Sequence, residues 1–269
     1  MASAAPALEH ALTGSTAARR AGESWVRSPL VASAGQWPVV LYFHHVSPDI
    51  VDYTAVSPRE FAEALAILDH YFEPLAAARV PEVVAEGGCA RPTCLITFDD
   101  GYADVWRHAV PLLEARGWTA VFFVSTQLVG RVEWHPRRGP LRHMNWPQLR
   151  ELVAAGHVVA SHGVSHANLA DLPADDVRWE IEEAHGRLAA ELPGARDWLA
   201  FPYGDVPAPR VLAEVDLPEL CFGSIKATPR EWAFHGPPIR RTYLPAGEAQ
   251  TWRRHAETWS QAQWTRRSR

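Results

Sequence analysis

Four short stretches of this sequence carry side chains that could do chemistry together: His44-His45, Asp99-Asp100-Gly101, Ser161-His162-Gly163-Val164-Ser165-His166 and Pro202-Tyr203-Gly204. Each has an ordinary explanation when taken alone. Asp-Asp-Gly is a common turn and helix cap, Pro-Tyr-Gly is a common turn, and a single His-x-x-x-His arises by chance. Taken together they form a coordination set. One carboxylate and two imidazoles give a divalent cation three protein ligands and leave a position for water. Such a cation lowers the pKa of a water towards roughly 7 and polarises a carbonyl oxygen. A second carboxylate that does not ligate can then take the water's proton. Asp99 and Asp100 are consecutive, and in a tight turn their side chains diverge, so they can divide these tasks.

The elements that must position these residues follow from hydrophobic patterning. Val39-Val40-Leu41-Tyr42-Phe43 is a continuously apolar run that fits a strand buried on both faces. Residues 94–98, 119–124, 158–160, 198–201 and 220–225 read as further strands. Ser57-Pro58 opens a helix with Phe61, Ala64, Leu65 and Leu68 on one face. One continuous helix is predicted after Gly101, carrying Val105, Ala109, Leu112 and Leu113, with others over 146–155, 175–192 and 211–215. Strands alternating with helices imply parallel pairing with right-handed crossovers. Six or seven such units favour a barrel over an open sheet, although periodicity alone does not separate the two. The four polar stretches fall where strands end, and in a parallel barrel those ends converge on the face that carries catalysis. Ala249, Trp252, Ala256 and Trp259, at helical spacing, predict a C-terminal helix docked on the barrel.

The chain's 269 residues suit one large α/β domain, read here as 37–269, preceded by a loosely ordered arm over residues 1–36. With 47% hydrophobic residues, 21% charged residues and a net charge of −5, nothing points to nucleic acid or an anionic membrane surface. No stretch approaches the roughly 18–20 apolar residues of a membrane span. The N-terminus has no basic n-region, and Glu9 and His10 interrupt any apolar run, so a cytoplasmic protein is expected. Cys89, Cys94 and Cys221 do not make a disulfide framework, which fits a reducing compartment.

At the level of motifs the sequence resembles the polysaccharide deacetylases (carbohydrate esterase family 4, the nodulation-factor-deacetylase-like domain). Leu95-Ile96-Thr97-Phe98-Asp99-Asp100-Gly101-Tyr102 is similar to the family's first signature, Ser161 to His166 to the second, and Phe201-Pro202-Tyr203-Gly204 to the third. Phe43-His44-His45-Val46 and Met144-Asn145-Trp146 are weaker echoes in family order. The resemblance implies a distorted (β/α)7-type barrel. It implies one divalent metal, zinc with cobalt or nickel as substitutes, held by Asp100, His162 and His166. It makes Asp99 the catalytic base and places Tyr203 beside the oxyanion, with His44, Pro202 and Tyr203 contacting substrate. The activity implied is removal of the N-acetyl group from an N-acetylated amino sugar or glycosylated small molecule.

Three rivals stand beside that reading: O-acetyl ester or other amide hydrolysis on the same fold, a non-haem iron oxygenase, and a degenerate carbohydrate-binding protein. The oxygenases share the ligand set but not the α/β alternation. Two departures from the family pattern matter. An arginine that pairs with the base in many members is replaced by the apolar stretch Trp198-Leu199-Ala200, which leaves the partner of Asp99 unidentified. A late Leu-x-His, the usual proton donor, is also missing, so the donor is His235, His44 or Asp99 itself. Asp99 is preferred because it needs no extra residue, with His44 orienting substrate.

Overall fold

The apolar runs become the staves of a curled parallel sheet in the computed structural model, which describes residues 37–51, 53–223, 238–244 and 249–264. The expected arm over residues 1–36, and His235, lie outside the described residues. The strands are β1 (Val39–Phe43), β2 (Thr93–Phe98), β3 (Ala120–Val124), β4 (Val132–His135), β5 (Gly139–Arg142), β6 (Val158–Ser161), β7 (Trp198–Ala200) and β8 (Leu220–Phe222). The helices are α1 (Pro58–Tyr71), α2 (Val80–Glu86), α3 (Ala103–His108), α4 (Val110–Glu114), α5 (Trp146–Ala154), α6 (Ala174–Glu191), α7 (Pro209–Leu212) and α8 (Ala249–Trp264). Two-residue strands at His45–Val46, Ala55–Val56 and Glu73–Pro74 complete the set among the described residues.

The main sheet runs β1-β2-β3-β6-β7-β8, all parallel. Its two edges are joined by the segment Ile239 to Thr242. Ile239 makes a parallel bridge to Phe222 of β8, and Thr242 makes one to Leu41 of β1. The Tyr42 N–H donates to the Thr242 carbonyl (2.9 Å) and the Thr242 N–H to the Val40 carbonyl (2.8 Å). The expected barrel-type architecture is therefore present, and this short segment acts as its closing stave. Register aligns the strand ends: Phe43 pairs with Phe98, Phe98 with Phe122, Val124 with Ser161, and Ser161 with Leu199. His44, Asp99, His162 and Phe201 consequently emerge on one rim.

The local reasons are those the sequence offers, with two differences. Ser57 caps α1 in a reciprocal capping box with Glu60, ahead of Pro58. The single helix expected after Gly101 is instead two, α3 and α4, meeting at Ala109. Pro111 is the cause, because it lacks an N–H and its ring crowds the carbonyl four residues back. The antiparallel hairpin β4–β5, inserted after β3, was not anticipated. No helix among the described residues is long and apolar enough to cross a membrane.

Helix α8 packs against α1, as its spacing predicted, with Trp252, Ala256 and Trp259 buried. Trp252→Ala should therefore lower unfolding free energy by about 3–5 kcal/mol in urea titration. A loss below about 1 kcal/mol would mean the helix contributes no core.

Candidate active site

Asp99 and Asp100 lie where β2 ends, in a turn whose shape dictates the residues. Asp100 has φ 67° and Gly101 φ 69°. A Cβ on Gly101 would lie 2.8 Å from Val124 Cγ1, so only glycine fits there. His162 follows β6, its N–H continuing the ladder to the Val124 carbonyl at 2.9 Å. His166 sits one turn further on with φ 64°, and Tyr203, after β7, has φ 61°. Among the described residues, Asp100, His166 and Tyr203 are the non-glycine residues in the left-handed region. Each such conformation costs on the order of 1–3 kcal/mol, and strain of this kind concentrates at functional sites.

These backbones bring three donor atoms together. The His162 and His166 Nε2 atoms lie 3.3 and 3.0 Å from Asp100 Oδ1. The ligand atoms of Asp100, His162 and His166 all lie within 4.8 Å of one another, a grouping that could hold a metal ion. The His162 Nδ1–H donates to the Ala200 carbonyl (2.7 Å), so its Nε2 presents a lone pair to the cluster. Asp100 Oδ1, buried, has no hydrogen-bond partner in good geometry. Two acceptors facing each other at 3.3 Å repel unless positive charge sits with them. The donor set therefore fits a divalent cation. Burial lowers the His166 imidazole, but Asp100 outweighs it and the net shift is upward.

Asp99 stands apart from this cluster in its partner. Its Oδ1 and Oδ2 accept from Arg241 Nη1 and Nη2 at 2.7 and 2.8 Å, a bidentate fork. Arg241 is buried and fully engaged: Nε donates to the Gly223 carbonyl (2.9 Å) and Nη1 also to Thr97 Oγ1 (3.1 Å). Its guanidinium lies 5.3 Å from the Tyr42 ring centroid and 5.2 Å from that of Phe123. Burial pushes the Asp99 carboxyl up, but the Arg241 charge and hydrogen bonds outweigh it and hold the group below its ordinary value. The partner missing from Trp198-Leu199-Ala200 is thus supplied by the closing stave. Nothing in the sequence pointed to Arg241, because that stave is too short to show a period.

The remaining expected residues fall around this centre. His44, at the end of β1, is close enough to Asp100, Asp99, His162 and Arg241 to feel their charges, and burial above all lowers its imidazole. The Tyr203 ring lies 4.9 Å from that of His166, and Pro202 is buried beside it. His255 is on α8, tilted against Trp259 at 5.5 Å.

Two supports were missed. Glu180 of α6 is buried, and its carboxylate accepts from the Val164 N–H (2.7 Å), the Ser165 N–H (3.0 Å) and the Ser165 hydroxyl. It clamps the loop that spaces His162 from His166. Its signal was present: Val177, Glu180, Ile181, Ala184 and Leu188 form one buried stripe, and a carboxylate on such a stripe needs donors. The second support is His143, whose Nδ1–H donates to the Asp100 carbonyl (3.0 Å) while Nε2 contacts Glu133 at 2.8 Å.

With this geometry in view, comparison with known proteins shows what the chain is similar to. Residues 87–217 match the polysaccharide deacetylase family model. Over that stretch the chain is similar to the polysaccharide deacetylase family. The Bacillus subtilis protein YxkH is 24% identical over 163 residues, 60% of this chain and 53% of that protein, so the chain spans about half its length. IcaB from Ammonifex degensii is 26% identical, with a TM-score of 0.65, over 84% of this chain and 98% of that one. The de-N-acetylase from Aggregatibacter actinomycetemcomitans, at 15% identity, shares the fold with a TM-score of 0.65 over 80% of this chain and 97% of that one.

The Glu180 clamp gives a direct check. Glu180→Ala takes the acceptor from the buried Val164 N–H and from the Ser165 N–H, and should lower stability by about 2–3 kcal/mol in thermal unfolding of metal-free protein. An unchanged melting temperature would remove the clamp from the site's support.

Proposed function

We propose that this chain is a polysaccharide deacetylase family member, a metal-dependent hydrolase that removes the N-acetyl group from an N-acetylated amino sugar or sugar conjugate. The observation that carries the reading is the meeting of Asp100 Oδ1 with two imidazole Nε2 atoms beside an arginine-clamped second carboxylate. Asp100, His162 and His166 would hold the cation, zinc with cobalt or nickel as substitutes. When bound, it supplies an acidified water and polarises the acetyl carbonyl.

The chain's own residues divide the rest of the work. Asp99, held ionised by Arg241, accepts the proton from the attacking water. The backbone N–H of Tyr203, aimed by its left-handed conformation, donates to the oxyanion that develops on the acetyl oxygen. His44 and Pro202 orient the sugar. Expelling an amine requires a proton on its nitrogen, and Asp99 returns the one it took. The clamp that makes Asp99 reluctant to keep a proton makes it an effective donor once protonated.

Metal analysis and kinetics test this together. Purified protein should contain one divalent metal, His162→Ala should lose it, and Asp99→Asn should keep it while losing about 10²- to 10⁴-fold in turnover. Equal, stoichiometric metal in wild type and His162→Ala, or near-normal activity in Asp99→Asn, would overturn the assignment. His44→Ala should slow a matched amide and activated ester alike. A selective loss of amide turnover by roughly 10² or more would make His44 the proton donor instead.

A further inference from the structure

The hairpin β4–β5 leaves the sheet after β3, at the rim where Asp99, His162 and Tyr203 emerge, and it is fastened to the loop of Asp100. The Met144 N–H donates to the Gly101 carbonyl (2.9 Å), the His143 N–H to the Arg131 carbonyl (3.0 Å), and Tyr102 bridges His143. Glu133 of β4 is one imidazole away from the Asp100 backbone through His143. Through the imidazole of His143, which bonds both Glu133 and the Asp100 carbonyl, the inner side of the hairpin is held against the Asp100 loop.

Side chains alternate along a strand, so the other side of the hairpin carries a different set. Val132 pairs with Arg142 and Trp134 with Pro140, which puts these four on one outer face. Trp134 is 76% exposed and Val132 50% exposed, with Pro140 and Arg142 also exposed. Glu133 and Leu141 are directed the opposite way, and Leu141 is buried. Arg131 and Arg137 flank the same hairpin. Among the described residues Arg131, Arg137 and Arg142 make no ion pair. A flat indole on the same face as the Arg142 guanidinium, on an arm fastened to the Asp100 loop, offers a ligand both a stacking surface and a cation.

We propose that this outer face, turned away from the reaction centre, is an accessory subsite for a negatively charged saccharide, binding the part of the chain that passes over the hairpin from the sugar deacetylated. The apolar face of a sugar ring stacks on Trp134, and a carboxylate or phosphate on the saccharide pairs with Arg142 and its neighbours. The substrate is then an acidic acetylated oligosaccharide or glycoconjugate rather than a neutral monosaccharide, which rests on the deacetylase reading for the reacting sugar. Two other occupants fit less well. A lipid surface would find only Val132, Trp134 and Pro140 as apolar side chains on a hairpin of two four-residue strands, too little area to hold it at a bilayer. A second copy of the chain would find a face of only four side chains, far short of the roughly 800 Å² per partner of a stable interface.

The test pairs turnover with binding. Probes are the neutral pentamer of N-acetylglucosamine, an oligosaccharide alternating N-acetylglucosamine with glucuronate, and 4-nitrophenyl acetate. Wild type should bind the acidic oligosaccharide more tightly than the neutral one by calorimetry. Trp134→Ala should raise KM for the acidic oligosaccharide about tenfold while leaving kcat/KM for the small ester unchanged. Arg142→Gln should abolish the preference for the acidic chain. Equal binding of both oligosaccharides, or equal losses on oligosaccharide and ester in Trp134→Ala, would overturn the subsite. So would Trp134-dependent binding to anionic lipid vesicles without saccharide binding, or a change of oligomeric state in Trp134→Ala. Absence of turnover on every probe would count against the deacetylase reading, while calorimetry with the acidic oligosaccharide still decides the subsite.

Discussion

The buried pair of Asp99 and Arg241 is the interaction on which the rest of the site depends. Its side chains are 4% and 0% exposed, and every guanidinium nitrogen has a partner. Arg241 lies within the segment that joins β8 to β1, and Asp99 lies at the end of β2, so one interaction ties barrel closure to the carboxylate proposed as the base. Thr97 relays it further, accepting from Arg241 and donating to the Leu41 carbonyl at 3.0 Å. A buried pair of this sort adds little net stability compared with apolar packing, but removing one partner strands the other charge at about 3–5 kcal/mol. The pH dependence has a definite sign. Because Asp99 is held below its ordinary value, its contribution is fully present above about pH 4 and is lost as pH falls through the lower folded value.

Around that anchor the protein stores unfavourable arrangements in a small volume. Asp100, His166 and Tyr203 occupy left-handed backbone, and Asp100 Oδ1 faces a lone pair of His162. Neither would persist on a soft scaffold. The rigidity comes from the aligned strand ends, the Glu180 clamp under the His162–His166 loop, and His143 holding the Asp100 carbonyl. Strain and converging acceptors together describe a site organised in advance for positive charge.

The sequence made the main strands, their parallel pairing and the three converging motifs legible, because buried parallel strands read as apolar runs and the polar residues stand at their ends. The docked face of α8 was legible for a similar reason, since Trp252, Ala256 and Trp259 repeat at helical spacing. Arg241 was not, because a bridge-length stave has no period and its partner lies 142 residues away. The break at Ala109 could have been read from Pro111, and Glu180 from its place on an apolar stripe. The hairpin β4–β5 escaped because four-residue strands with Arg and Pro carry too little alternation to stand out.

A double-mutant cycle on Asp99 and Arg241, read by urea unfolding of metal-free protein, tests most directly whether this pair anchors the site. Arg241→Met alone should cost about 3–5 kcal/mol by leaving Asp99 as an uncompensated buried charge. Adding Asp99→Asn should recover much of that loss, giving a coupling energy of about 2–3 kcal/mol. Effects that add to within about 0.5 kcal/mol would show two independent side chains and contradict the account.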